Sequence, residues 1–160
     1  MPLPTPELTV HSMPTLDSII TKIEGLKIAK GLTWADLASK MGHRPVWVAA
    51  ALTGQCSLSA EDCAAIADDL ELTDAEQKVL QGYPYRGCLK EIVPTDPFVY
   101  RFYEIMQVYG IAMKNVTQEE FGDGIMSAID FSIDLEREPD PKGDRVKITF
   151  SGKFLPYKKF

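Results

Sequence analysis

Histidine is scarce in this 160-residue chain, with only His11 in the leading segment and His43 near a turn, and cysteine stops at an odd three, Cys56, Cys63 and Cys88. None of these has the short paired spacing of metal ligands, so neither a zinc site nor a disulfide framework is expected. Long apolar runs are missing too, and no stretch reads as a membrane span. Positive charge is in deficit. The net charge of −6 divides evenly, with 8 Lys+Arg against 11 Asp+Glu in residues 1–90 and 9 against 12 in residues 91–160. Neither part has the positive field that a phosphate backbone requires, so nucleic acid is not an expected partner. Residues 1–15 hold Pro2, Pro4, Pro6 and Pro14 without an apolar block. They read as a flexible tail and not a secretory signal, and the expected address is cytoplasmic.

What is present falls into two parts, residues 16–88 and 89–160. The first has a helical period in short segments. Ile19, Ile20, Ile23, Leu26 and Ile28 line one helix that Gly31 ends; Thr33 caps a second that runs through Met41; and Pro45 opens a third that runs to about Thr53. Ser59 begins a fourth, and Thr73 with Glu76 has capping-box spacing for a fifth that runs through Leu80. The expectation is a five-helix bundle. Its second and third helices, joined through Gly42, resemble a helix-turn-helix, which gives the alternative of a transcriptional regulator with a C-terminal sensing or dimerising domain. The would-be recognition helix has one basic residue, Arg44, and little to read base edges. Trp34, Leu37, Trp47, Val48, Ala51 and Leu52 predict packing instead.

Glycines and prolines between Gly82 and Pro97 mark a linker. Asp96-Pro97 then starts a helix with Gly110 as its expected stop, and Phe98, Val99, Phe102, Ile105, Met106 and Val108 predict burial on most sides. After it the period becomes two. Ile125, Ser127, Ile129, Phe131, Ile133 and Leu135 are expected on one face of a strand, and Val146, Ile148 and Phe150 on a second strand that pairs with it antiparallel. The fold class is α+β: the bundle, then a small C-terminal helix with a β-hairpin.

Arg101 and Glu104 stand three apart on that helix and can reach one point on one face. The pair is either an ordinary i, i+3 salt bridge or a site for a small anion, with the guanidinium fixing charge and the carboxylate orienting or moving protons. Ser127 is the polar interruption of an apolar face. It is either a small residue satisfied by nearby backbone or a functional hydroxyl. A hydrolase triad does not fit, because Gly-x-Ser-x-Gly is absent around it and no histidine follows it. Phe121-Gly-Asp-Gly124 offers backbone N–H groups to an anion, or a plain turn.

These residues coincide with a known pattern. Asp96-Pro97, Tyr100-Arg-Phe-Tyr-Glu104, Gln107-Val-Tyr-Gly110, the run from Phe121 to Phe131, and Gly152-Lys-Phe-Leu-Pro156 with Phe160 closely resemble the cyanate hydratase (cyanase) family. Leu32-Thr-Trp-Ala-Asp-Leu-Ala38, Thr53-Gly54 and Arg86-Gly-Cys88 extend the resemblance over residues 16–160. It implies bicarbonate-dependent decomposition of cyanate through carbamate to ammonia and carbon dioxide. The family's catalytic arginine, glutamate and serine fall on Arg101, Glu104 and Ser127. The resemblance also implies a homodecamer of five dimers, sites shared between subunits, no metal or organic cofactor, and a first domain that looks DNA-binding without binding DNA.

One helix and one hairpin in about 70 residues make a thin core, so apolar residues such as Phe98, Phe102, Tyr109, Phe121 and Phe154 need cover from copies of the same chain. Sedimentation equilibrium at micromolar concentration is expected to show an oligomer with no stable folded monomer; a folded monomer there refutes it.

Overall fold

The computed structural model describes residues 13–84, 86–87 and 92–159. Most of the expected tail, including His11, lies outside the described residues, as do Cys88 and Phe160. The chain divides into two compact units, Met1–Arg86 and Gly87–Phe160.

The first unit contains α1 (Leu16–Ala29), α2 (Trp34–Met41), α3 (Pro45–Leu52), α4 (Ala60–Ile66) and α5 (Asp74–Leu80). Their starts are written locally. Thr33 with Asp36, Ser59 with Asp62, and Thr73 with Glu76 each form a reciprocal capping box, and Thr15 caps α1 through Ser18 N–H. Such caps contribute about 1 kcal/mol each. Gly42 closes α2 in the left-handed region at φ 70°, which a side chain rarely adopts. Ile19, Ile23, Leu37, Val48, Leu52, Cys63, Ile66 and Leu70 are fully enclosed in the core. Cys56 and Cys63 are free thiols.

The packing role expected of α2 and α3 is what the structure gives. Leu37, Val48, Ala51 and Leu52 are buried, while Trp34 and Trp47 are partly buried against the core. The Trp47 ring lies 4.3 Å from that of His43, whose Nε2 is 2.8 Å from Asp62 Oδ1, so His43 has a structural occupation. Lys22 Nζ donates to Glu76 Oε2 at 2.8 Å and to the Glu71 carbonyl at 2.6 Å, tying α1 to the start of α5.

The second unit contains α6 (Pro97–Phe121), β1 (Gly124–Glu138) and β2 (Arg145–Pro156), the strands pairing antiparallel. The α+β class holds. Three expectations about this unit are corrected. The helix does not stop at Gly110 but runs 25 residues, because helix formers such as Ala112, Met113, Lys114, Gln118, Glu119 and Glu120 follow and an interior glycine costs only about 1 kcal/mol. Termination waits for Gly122 at φ 88°. Secondly, α6 has no buried residue, and its apolar side chains, Val108 and Ile111 among them, stay exposed within one chain.

Thirdly, β1 does not alternate straight through. Met126 pairs with Phe154 and Phe131 with Gly152, so β1 carries three residues more than β2 across this stretch. An odd insertion reverses the alternation. Met126 therefore shares the face of Phe131, Ile133 and Leu135, whereas Ile125 faces the other way, and Ile129 in the bulge is 98% exposed. Among the described residues, no helix is long and apolar enough to cross a membrane.

Glu76 provides a pH test of the first unit. Burial pushes its carboxyl up, but bonds from Lys22 and Thr73 outweigh that and hold it below its ordinary value of 4.5. A lowered folded-state value means that the group's stabilisation is full above the ordinary value and is lost as pH falls through the lowered one. Glu76→Gln is thus expected to melt below wild type at neutral pH, with the gap closing in acid; a gap that widens in acid would reverse the assignment.

Candidate active site

The first turn of α6 is fixed by its cap. Asp96 Oδ1 accepts from Phe98 N–H at 2.9 Å and Val99 N–H at 3.0 Å, and the ring of Pro97, the first helical residue, locks its own φ near the helical value. One turn on, Arg101 Nη1 donates to Glu104 Oε2 at 2.6 Å, and Arg101 Nε donates to the Pro97 carbonyl at 3.4 Å. The guanidinium carbon lies 5.2 Å from the Tyr100 ring centroid. This holds the planar fork in one orientation from three sides.

The burial expected around the pair is not met within one chain, where the two side chains are 58% and 49% exposed. At that exposure an ion pair contributes only a few tenths of a kcal/mol, so stability gives little reason for the arrangement. What it offers is a preorganised cation with a carboxylate beside it, able to meet an anion in bidentate fashion.

Ser127 stands at the opposite extreme, 5% exposed at the start of the β1 bulge. Its Oγ accepts from Ile129 N–H at 3.1 Å and Asp130 N–H at 2.9 Å. A hydroxyl has two acceptor sites and one donor, so both acceptor sites are engaged and the proton remains to be given. The backbone thus satisfies the hydroxyl as an acceptor and leaves it only a donor function. This also argues against nucleophilic attack, which needs a free lone pair. The Phe121–Gly124 segment resolves as a helix end and turn: Tyr157 N–H donates to the Asp123 carbonyl, and Gln118 Nε2 donates to Asp123 Oδ1.

Of the three residues, one chain brings Arg101 and Glu104 together and leaves Ser127 apart. Among the described residues, the Ser127 hydroxyl bonds only within the bulge. A cleft of about 310 Å³ between the end of α6 and the hairpin is lined by Thr117, Phe121, Met126 and Gly152, and by neither Arg101 nor Glu104. Sixteen residues of helix separate Arg101 from Thr117, about 24 Å of axial rise. The Arg101 end of α6 is thus well removed along the helix from the Thr117 end that lines this cleft with Met126 and Gly152. Among the described residues, no group of three or more His, Cys, Asp or Glu side chains is placed to hold a metal ion.

Two features escape the sequence reading: the bulge N–H groups of Ile129 and Asp130, and the bare strand position Gly152 across from them. A glycine inside a strand pattern is the available signal for such a bulge, and Gly152 carries it.

Comparison with known proteins completes the picture. The family model for the cyanate lyase C-terminal domain matches residues 91–159, and that for the cyanate hydratase N-terminal domain matches residues 17–84. A cyanate hydratase from Methylibium petroleiphilum is 54% identical over 142 residues, covering 89% of this chain and 97% of the relative. One from Parasynechococcus marenigrum is 52% identical over 146 residues, covering 91% and 99%. The crystal structure of cyanase from T. urticae superposes with a TM-score of 0.77 at 36% identity, covering 87% of this chain and 97% of that one. With both units matched along nearly their whole length, the chain belongs to the cyanate hydratase family.

Proposed function

We propose that this protein decomposes cyanate in a bicarbonate-dependent lyase reaction, with Arg101, Glu104 and Ser127 as its catalytic set. The observation that carries the reading is family membership across residues 17–84 and 91–159, together with a preorganised guanidinium–carboxylate pair and a donor-only serine in the second of those regions. Cyanate, bicarbonate and one proton give carbamate and carbon dioxide; carbamate and a second proton give ammonia and a second carbon dioxide. No redox change occurs, and atoms and charge balance without a metal or organic cofactor.

The physical obstacle is repulsion. Two anions brought to 4 Å oppose one another by about 4 kcal/mol at an effective dielectric constant of 20, so cations and N–H or O–H donors must offset that before a bicarbonate oxygen can approach the cyanate carbon. Arg101, contributed by more than one chain, supplies the clamp, and its flat fork suits the planar bicarbonate better than an ammonium while giving the linear cyanate a delocalised positive charge. Ser127 donates to a cyanate or bicarbonate oxygen and fixes its orientation. Glu104 keeps the guanidinium aligned and relays protons. The gain is proximity plus charge stabilisation.

Assembly belongs to the same reading. The separation of Arg101 from the serine bulge in one chain, and a 25-residue helix with nothing buried, both suit a site completed between copies, in a homodecamer built as five dimers in the cytoplasm. The regulator alternative draws no support, since α3 directs Val48, Ala51 and Leu52 into its own core.

Ammonia release from cyanate is expected only when bicarbonate is present, with unbuffered solution turning alkaline; release at the same rate without bicarbonate rejects it as co-substrate. Arg101→Leu and Ser127→Ala are each expected to lower kcat by about 10² to 10³ while the oligomer persists on size-exclusion chromatography. Unchanged turnover in either variant dismisses that residue's role.

A further inference from the structure

The β1 bulge rests on a strand position that has no side chain, and we propose that Gly152 is a positioning residue for the reaction, acting through the Ser127 hydroxyl. This rests on the role given to Ser127 above and adds the element that sets its aim. Gly152 pairs with Phe131 just where the three additional residues of β1 must be accommodated. A Cβ built on it falls onto the Ser127 carbonyl oxygen, well inside contact, and 2.6 Å from Met126 Cγ. These two neighbours respond differently. The Met126 side chain is flexible and half exposed, so it can swing away.

The carbonyl has no such freedom. Ser127 is 5% exposed, and its hydroxyl is held by two N–H groups, so moving its peptide carries the Oγ with it or breaks those bonds. Backbone strain does not explain the glycine, since Gly152 is not among the residues with positive φ. What it supplies is absent volume. A side chain there would push the 127–128 peptide outward, and a misplacement of about 1 Å in an orienting group lowers a rate by about 10²-fold. Gly124 also has backbone close by, but against Leu155, at the base of the hairpin. A Cβ there would press on the ladder and not on Ser127.

The test is a cycle of Ser127→Ala, Gly152→Ala and the double variant in the full-length oligomer, with kcat and KM for cyanate measured alongside melting temperature and size-exclusion profile. If Gly152 acts through Ser127, Gly152→Ala lowers kcat by about 10²-fold with KM changed by less than about threefold, and the double variant is no slower than Ser127→Ala alone. Adding Met126→Ala to Gly152→Ala then restores nothing. A wild-type kcat in Gly152→Ala, losses that multiply in the double variant, recovery on adding Met126→Ala, or failure of Gly152→Ala to fold each overturns the proposal. Wild-type protein inactive on cyanate, or an active Ser127→Ala, removes the underlying reading and this one with it. An inactive Ser127→Ala beside a fully active Gly152→Ala overturns this inference alone.

Discussion

Apolar surface that a single chain leaves in water is the constraint from which the rest of the second unit follows. Helix α6 carries phenylalanine, isoleucine, valine and methionine along 25 residues, yet none of its residues is buried within the chain. At about 25 cal/mol per Å² of apolar area removed from water, cover for such a helix is worth more than any polar contact the unit makes for itself. The first unit faces no comparable demand. Its core is enclosed by its own five helices, and its helix starts are satisfied by its own side chains.

That asymmetry bears directly on the chemistry. An exposed arginine–glutamate pair in water is a weak interaction, whereas the same pair under an apolar cover becomes a strong field with little freedom to reorient. Covering α6 would thus change the electrostatics of Arg101 without changing its rotamer, because Glu104, the Pro97 carbonyl and the Tyr100 ring already hold the guanidinium in place. The serine is prepared differently. Its surroundings are completed inside one hairpin, by the bulge amides and the bare Gly152 position. One half of the proposed site is built by local backbone and the other waits for its environment.

The boundaries of the first unit are legible in the sequence because they depend on neighbours three or four residues away. Thr33, Ser59 and Thr73 each name their own helix start, and Gly42 its end. Where the outcome depends on distant or absent partners, the reading falters. Gly110 has the composition of a stop but keeps helical geometry, and nothing nearby reveals that Gly122 takes the positive φ instead. Strand alternation places Ile125 with Phe131, and only the pairing with β2 exposes the insertion that parts them. For the candidate site, the i, i+3 reach of Arg101 and Glu104 is readable from spacing, and Ser127 is visible as an anomaly. The donor-only state of its hydroxyl is not readable, since it comes from two amides turned by a bulge that periodicity misses.

The reciprocal caps of the first unit have a consequence for biogenesis. Contacts that close over a few residues form quickly, and α2 packs chiefly on α3 and α4, its near successors in the chain. This bundle precedes α6 in the polypeptide, so it can finish folding while the later helix is still being synthesised. The nascent protein then carries a settled, acidic head with an enclosed core when its sticky segment emerges from the ribosome. By the time α6 appears, the first unit has enclosed its own apolar side chains, so the surface left to cover after synthesis is that of the second unit alone.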